Sequence, residues 1–400
     1  MTRNGKFLPY GRHVIEDDDI AAVVDVLRGD WLTTGPTTEK FDRAFAIAVD
    51  APFAVSCSSG TAALHIAALA ANLGPGDRAI VPAVTFLATA NAVRYAGAEV
   101  VFSDVDPNTG LMRPTDLEAA FARAGGPVKA VFPVHLAGQC ENLPVVHDIA
   151  SHKSAIVIED ACHALGTNYL RDSLTTKVGS CVDATMSAFS FHPVKAIAMG
   201  EGGAVTTRDP TLAKRLLRLR NHGMTRDVGQ FEQKDLAFDS DGIPNPWYYE
   251  MSEIGYNYRA SDIHAALGLS QLRKIDRFVS ARRNIARHYD RCLKHLAPLI
   301  TPLARAPNCE PAWHLYVALF DFDGLRVSRN KLMALLKEEG IGTQVHYIPV
   351  SAQPYYRRRY NNIPLPGADR YYSRCLTLPL HADMTESDVD RVVSALTGIV

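Results

Sequence analysis

Between Phe53 and Asp160 the chain alternates short β-rich runs with helical patterns, and this rhythm constrains the fold more than any other feature. FAVSC (53–57) precedes a helix from about Thr61, AIVP (79–82) a helix from about Ala88, and EVVFSDV (99–105) a helix from Thr115. VKAVFPV (128–134) and AIVIED (155–160) continue the series, each beside another helical stretch. Such an order predicts an α/β fold: a mostly parallel sheet with helices on both faces. A further helix is predicted over 17–29, where acidic residues open an apolar stripe of Ile20, Val23, Val24 and Leu27 and a glycine closes it.

After Gly203 the pattern changes. A helix over about 211–221 leads into a polar and aromatic stretch that runs to Tyr249 and marks the best boundary. This divides the chain into a large domain with an N-terminal arm (1–250) and a smaller α+β domain (251–400). The second part predicts a long helix from Ser261 to about His295, a strand over 314–320, a helix after Ser328 ending at Gly340, a strand over 343–347 and a last helix after Thr385.

At 400 residues the chain exceeds a single minimal core, which suits two lobes. Lys plus Arg number 42 against 43 Asp plus Glu, so the broad basic footprint of a nucleic-acid binder is missing. Seven cysteines are scattered without a C-x-x-C pair, and His163, His192, His222 and His346 lack H-x-x-x-H or H-E-x-x-H spacing, so no disulfide framework and no metal are expected. The start, MTRNGKFLPYGRH, has no apolar signal core, and no run of about 18 apolar residues occurs, which argues against secretion and membrane spanning and for the cytoplasm. Neither a P-loop nor a G-x-G-x-x-G fingerprint follows a strand.

Three segments carry candidate chemistry. In SAFSFHPVKAIAMGEGG (187–203), Lys195 stands in apolar company before a glycine-rich turn. Desolvation makes an amine nucleophilic, as Schiff-base chemistry requires; on this segment alone a snorkelling lysine is the better reading. In IVIEDACHALG (156–166) an apolar strand ends in Glu159 and Asp160, where open α/β sheets bind ligands. Asp160 could equally cap a helix, but a lysine and a carboxylate together suit pyridoxal phosphate, which needs an amine and a partner for its pyridine nitrogen. In SCSSGTAALHIA (56–67), Ser59, Gly60 and Thr61 lie where a β run meets a helix start, a phosphate cradle or a simple cap. Phe86 could stack on a flat cofactor or fill a core.

Taken together, SSGTAALHIA, VPAVTFLATANAV, VHLAGQ, IEDACHALG, SFHPVKAIAMGEGGAV, GYNYRASDIHAALGLSQL and IGTQVHYIPV resemble, in order and over nearly the whole chain, the DegT/DnrJ/EryC1/StrS sugar aminotransferases. The resemblance implies the aspartate-aminotransferase fold, fold type I of the pyridoxal-phosphate enzymes, and a homodimer with shared active sites. It further implies that Lys195 holds the cofactor and moves the proton, that Asp160 pairs with the pyridine nitrogen, and that Ser59, Gly60, Thr61 and Ser190 bind the phosphate. Phe86 and His163 would flank the ring, and Asn257 would reach the phosphate of the neighbouring subunit. Tyr10, the stretch Asp30, Trp31, Leu32 and Thr33, and the stretch Gln344, Val345, His346 and Tyr347 match substrate-contacting segments.

FLPYGRHVIEDDDI, DWLTTGP and SFHPVKAI look most like the branch that makes UDP-4-amino-4,6-dideoxy-N-acetyl-β-L-altrosamine for pseudaminic acid. That implies L-glutamate as amino donor and a UDP-linked 4-keto-6-deoxy-N-acetylhexosamine as acceptor; a dTDP- or GDP-linked keto sugar is the nearest alternative, and a cofactor-binding protein without turnover a more distant one. The chain departs from many relatives in carrying Ala198, Met199 and Gly200 before its Glu-Gly-Gly, and some relatives have glutamine at the place of His163. Members that replace the lysine by histidine dehydrate their substrates, so an intact Lys195 implies amino transfer.

Overall fold

The computed structural model describes residues 7–399; the first six residues of the expected N-terminal arm lie outside them. Helices α1 (Asp17–Arg28) and α2 (Pro36–Ala48) come first. Then follow β1 (Phe53–Cys57), α3 (Gly60–Ala70), β2 (Arg78–Pro82), α4 (Leu87–Tyr95), β3 (Glu99–Ser103), α5 (Pro114–Arg123), β4 (Ala130–Val131), α6 (Leu143–His152) and β5 (Ile156–Asp160). A hairpin, β6 (Asn168–Arg171) and β7 (Leu174–Lys177), leads to β8 (Met186–Ser190), β9 (Gly203–Thr207) and α7 (Pro210–Leu219).

Seven of these strands form one sheet in the order β1-β9-β8-β5-β4-β2-β3. β9 alone among them runs antiparallel to its neighbours. The expected mostly parallel sheet is therefore present, and it is buried on both faces. Along β2, Ala79 and Val81 join the core beneath α3 and α4 while Ile80 joins the one beneath α2, α5 and α6, the two-residue alternation of a pleated strand. The predicted run over 128–134 forms a regular ladder only at Ala130–Val131 and resumes as a single bridge from Val134 to Asp160, the interruption falling at Pro133, which has no N–H to give.

The rest of the chain continues through β10 (Met224–Thr225), α8 (Lys234–Ala237), β11 (Glu250–Met251), α9 (Asp262–Leu272), α10 (Ile275–Cys292), β12 (Ile300–Pro302), β13 (Cys309–Glu310), β14 (Tyr316–Phe320), α11 (Arg329–Glu338), α12 (Pro354–Tyr360), α13 (Pro366–Arg374), β15 (Cys375–Leu378) and α14 (Glu386–Thr397). The long helix expected over 261–295 is broken at Arg273 and Lys274, and its end is a 3-10 turn at Leu293–Leu296. The break falls where the Lys274 ammonium is held by Glu16, Asp18 and Asp19 at the start of α1. The strand expected over 343–347 is absent: Gln344 makes a single bridge to Thr377, and the His346 carbonyl accepts from the Tyr371 hydroxyl in place of a strand neighbour. The hairpin β6–β7, which pairs with β13, was not foreseen.

We propose the lobe boundary near residue 250, with α9 crossing back onto α1 and α2. Its first residue is the reason. The Asp262 carboxylate is buried and accepts from the N–H groups of Gly35 (2.8 Å), Thr37 (2.8 Å) and Thr38 (3.3 Å), so it caps α2, whose own N-cap is a glycine without a side-chain acceptor. No helix among the described residues is long and apolar enough to cross a membrane.

Asp262→Ala leaves these donors unpaired. At about 1–3 kcal/mol per buried donor, the urea midpoint should fall markedly, while Asp262→Asn, which keeps one acceptor oxygen, should lose less. Equal midpoints for all three proteins would show that water replaces the carboxylate.

Candidate active site

The C-terminal edge of the sheet gathers the candidate residues. At the end of β5, Asp160 is 5% exposed, and its carboxylate accepts from the Thr89 hydroxyl at 2.6 Å and from the Cys162 N–H at 3.2 Å. Thr89 is held in turn by Thr85 at 2.7 Å. Behind them Glu159 accepts from Ser187 and bonds the His135 ring, both at 2.9 Å, so the two adjacent carboxylates point into different networks, as alternation along a strand requires.

Beside β5, α3 begins at Ser59, whose hydroxyl caps the helix by accepting from the Ala62 N–H at 3.1 Å. Three segments converge here with no room to spare. A Cβ on Gly203 would lie 2.3 Å from the Ser59 carbonyl oxygen, and one on Gly60 would lie 2.6 Å from the Ser190 Cβ. Glycine at both positions therefore lets β8 and β9 close onto the start of α3, where free N–H groups and the helix dipole favour an anion.

Lys195 lies on the loop between β8 and β9. The loop is tied to itself by bonds from Phe191 N to the Gly202 carbonyl and from Met199 N to the Phe191 carbonyl. It is tied to α10 by Arg282, which is buried and donates to the carbonyls of Lys195, His314 and Leu380, each at 3.3 Å. Loss of water holds the Lys195 amine below the ordinary lysine range, against the opposing pull of Cys162 and Asp160.

Three imidazoles surround this amine and are kept neutral by burial, with Lys195 adding to the effect: His163 and His314 are pushed well below the usual histidine range, and His346 is lowered to about 3. His163 Nδ1 accepts from the Ala137 N–H at 3.3 Å, which leaves the ring proton on Nε2 to donate to the Tyr347 hydroxyl at 3.2 Å. His346 bonds the Thr377 hydroxyl at 2.7 Å.

These groups line one cavity of about 600 Å³. Of the expected residues it brings together Tyr10, Ser59, Gly60, Thr61, Phe86, Asp160, His163, Ser190, Lys195 and the run from Gln344 to Tyr347. Phe86 is 55% exposed and faces Tyr347 at a ring separation of 6.0 Å, so it is not a core residue. Asn257 and the stretch from Asp30 to Thr33 do not line the cavity. Asn257 is exposed and bridges Asn221, while Thr33 bridges Ser261 and the Leu32 carbonyl accepts from Asp262. Sequence reasoning missed Thr89, Arg282 and His314; only the place of Thr89 one turn into the helix after Phe86 hinted at its direction.

A family profile described as the DegT/DnrJ/EryC1/StrS aminotransferase family matches residues 13–397. The chain belongs to this family. It is 39% identical to the spore coat polysaccharide biosynthesis protein SpsC of Bacillus subtilis (strain 168), over all of this chain and 99% of SpsC. Among solved structures it is similar to Helicobacter pylori PseC, an aminotransferase involved in the biosynthesis of pseudoaminic acid (29% identity, TM-score 0.87, 98% of this chain and 99% of PseC). It also resembles the pyridoxal-phosphate form of the putative sugar aminotransferase Spr1654 from Streptococcus pneumoniae (27% identity, TM-score 0.84, 98% of each chain).

The chain is thus a sugar aminotransferase of fold type I that uses pyridoxal phosphate. Its residues fit that cofactor: a capped helix start with two glycines that admit no Cβ, a desolvated amine and a buried carboxylate open on the same cavity.

Two outcomes follow for the aminotransferase. Gly203→Ala should weaken cofactor binding at least tenfold, about 1.4 kcal/mol, in equilibrium dialysis, whereas Gly74→Ala, where a Cβ meets nothing within 4 Å, should leave it unchanged. Secondly, because the Lys195 amine is held below the usual value near 10.5, its neutral form persists to lower pH. In the cofactor-free protein its acylation rate should therefore rise with pH before that of surface lysines; an inflection shared with them would contradict the desolvation argument.

Proposed function

We propose that this aminotransferase moves the amino group of L-glutamate to C4 of a UDP-linked 4-keto-6-deoxy-N-acetylhexosamine, giving UDP-4-amino-4,6-dideoxy-N-acetyl-β-L-altrosamine for pseudaminic acid. The observation that carries the amino-transfer part is the single desolvated lysine facing the cavity with Asp160, in a family of sugar aminotransferases. The pseudaminic acid reading is supported by the likeness to PseC and by the motifs near Asp30 and Lys195.

When bound, pyridoxal phosphate carries the amino group and withdraws electrons from the carbon that loses its proton. In this reading Ser59, Gly60, Thr61 and Ser190 bind its phosphate, Asp160 keeps its pyridine nitrogen protonated, and Phe86 and His163 confine its ring. Lys195 holds it covalently, then takes a proton from the donor carbon and returns one to the acceptor, general acid-base work worth about 100- to 10,000-fold. Burial lowers the proton affinity of His163, His314 and His346, so the lysine among them remains the stronger base. Tyr10 and the run Gln344 to Tyr347 line the same cavity and would contact the sugar.

We further propose that two copies share each site. Asn257, Asp30, Trp31, Leu32 and Thr33 are exposed and outside the cavity of their own chain, and large apolar residues are exposed nearby in sequence, among them Trp31, Leu32, Met251 and Ile254. A partner that covered them would bring Asn257 to the neighbouring phosphate and the 30–33 stretch to the neighbouring substrate. The cytoplasm is the proposed compartment, in keeping with seven free cysteines.

Incubation of the enzyme with glutamate and a panel of UDP-, dTDP- and GDP-linked 4-keto sugars should give amine product fastest with the UDP-linked 4-keto-6-deoxy-N-acetylhexosamine; preference for another nucleotide overturns the substrate reading. Mixing inactive Lys195→Ala and Asn257→Asp should restore partial activity once subunits exchange, because one site of the hybrid carries neither lesion. Complete exchange without recovered activity would place Asn257 in its own chain's site.

A further inference from the structure

Away from the active site, two groups among the described residues bring three His, Cys, Asp or Glu ligand atoms within 4.8 Å of one another. Glu16, Asp18 and Asp19 form one, and the Lys274 ammonium already sits among their carboxylates at 2.6–3.1 Å. That group is a neutralised ion-pair network. His288, Cys292 and Asp390 form the other.

Helix periodicity sets its geometry. His288 and Cys292 are four residues apart on α10 and share a face, and α14 lays Asp390 against them. Nε2 of His288 is 3.4 Å from Sγ of Cys292, Sγ is 3.7 Å from Oδ1 of Asp390, and Oδ1 is 2.7 Å from Nε2. Ligands bound to a tetrahedral zinc at about 2.0–2.3 Å stand about 3.3–3.6 Å apart, so the Nε2–Sγ separation already fits, the Sγ–Oδ1 separation is slightly long, and the third needs the His–Asp hydrogen bond to open. One nitrogen, one sulfur and one oxygen form a borderline-soft set that suits zinc over calcium or magnesium, which take oxygen.

The layer around the imidazole has to rearrange for an ion to bind. On the far side of the imidazole, Nδ1 lies 3.5 Å from Oε1 of Glu386 and 2.9 Å from the Arg291 guanidinium, and Arg291 also pairs with Glu386 at 3.3 Å. In this structure Arg291 donates to Nδ1; with a metal on Nε2 the ring proton sits on Nδ1, so Arg291 must release it and Glu386 becomes the acceptor that orients the ring, the usual outer partner of a ligating histidine. The Asp390 side chain is 60% exposed, so water can fill the fourth position.

We propose that His288, Cys292 and Asp390 bind one zinc ion that clamps α14 onto α10. Zinc replaces the hydrogen bond between Nε2 and Oδ1, and the Cys292 thiol releases its proton to solvent.

Cobalt(II) tests this in the chelator-washed holoenzyme. One equivalent per chain should give the visible bands of a tetrahedral site and a sulfur-to-metal charge-transfer band, both displaced by zinc. Asp390→Asn should weaken cobalt binding at least about tenfold, and Cys292→Ser should abolish the charge-transfer band with amino transfer unchanged. Zinc should raise the thermal midpoint of the wild type and leave that of Cys292→Ser where it was. The proposal is overturned if cobalt gives no such bands, if they persist in Cys292→Ser, or if zinc does not move the wild-type midpoint.

Discussion

The site depends on one steric fact: the start of α3, the end of β8 and the start of β9 meet too closely to admit a side chain at Gly60 or Gly203. β9 enters the sheet against the direction of its neighbours and begins at that contact. The loop that joins β8 to β9 is thereby returned to the same edge, and it is this loop that bears Lys195. A helix start with free N–H groups and a lysine separated from it by more than a hundred residues in the sequence thus come to line one cavity. Two methyl groups would be enough to part them.

Charge follows from that enclosure. Burial neutralises His163, His314 and His346, and it holds the Lys195 amine below its ordinary range. Asp160 escapes isolation through the Thr89 hydroxyl and the Cys162 N–H, without a cation bonded to it. The Lys195 amine is near enough to feel its charge but is not hydrogen-bonded to it, and in the proposed reading the carboxylate is thereby left to pair with a positively charged ligand nitrogen.

Much of this was legible before any coordinates. Local periodicity announces strands and helices, so the βα series from Phe53 to Asp160, and the helix starts at Ser59 and Thr385, could be read from neighbouring residues alone. What escaped depends on contacts between distant segments. Thr343 to Tyr347 looks like a strand, yet its side chains bond Thr377 and His163 and its backbone is claimed by Tyr371. The break between α9 and α10 reflects three carboxylates on α1 and its N-cap, and Asp262 caps a helix more than two hundred residues before it. Cys292 and Asp390 stand 98 residues apart, so their approach has no signature in a spacing rule. Ser59, Gly60, Thr61, Asp160 and Lys195 stood out by their places at a helix start, a strand end and a glycine-rich turn, while Tyr10, His163, Ser190 and the run Gln344 to Tyr347 were marked only by the family resemblance. Thr89 and Arg282 were not found, because a threonine in a helix and an arginine in an amphipathic one look ordinary.

The central claim is that Lys195 is the residue that holds pyridoxal phosphate in this sugar aminotransferase. Reduction of the purified holoenzyme with borohydride, followed by peptide mapping, tests it directly. The account predicts a single phosphopyridoxyl modification per chain, on Lys195. A modification carried on any other lysine, with Lys195 unlabelled, would contradict it.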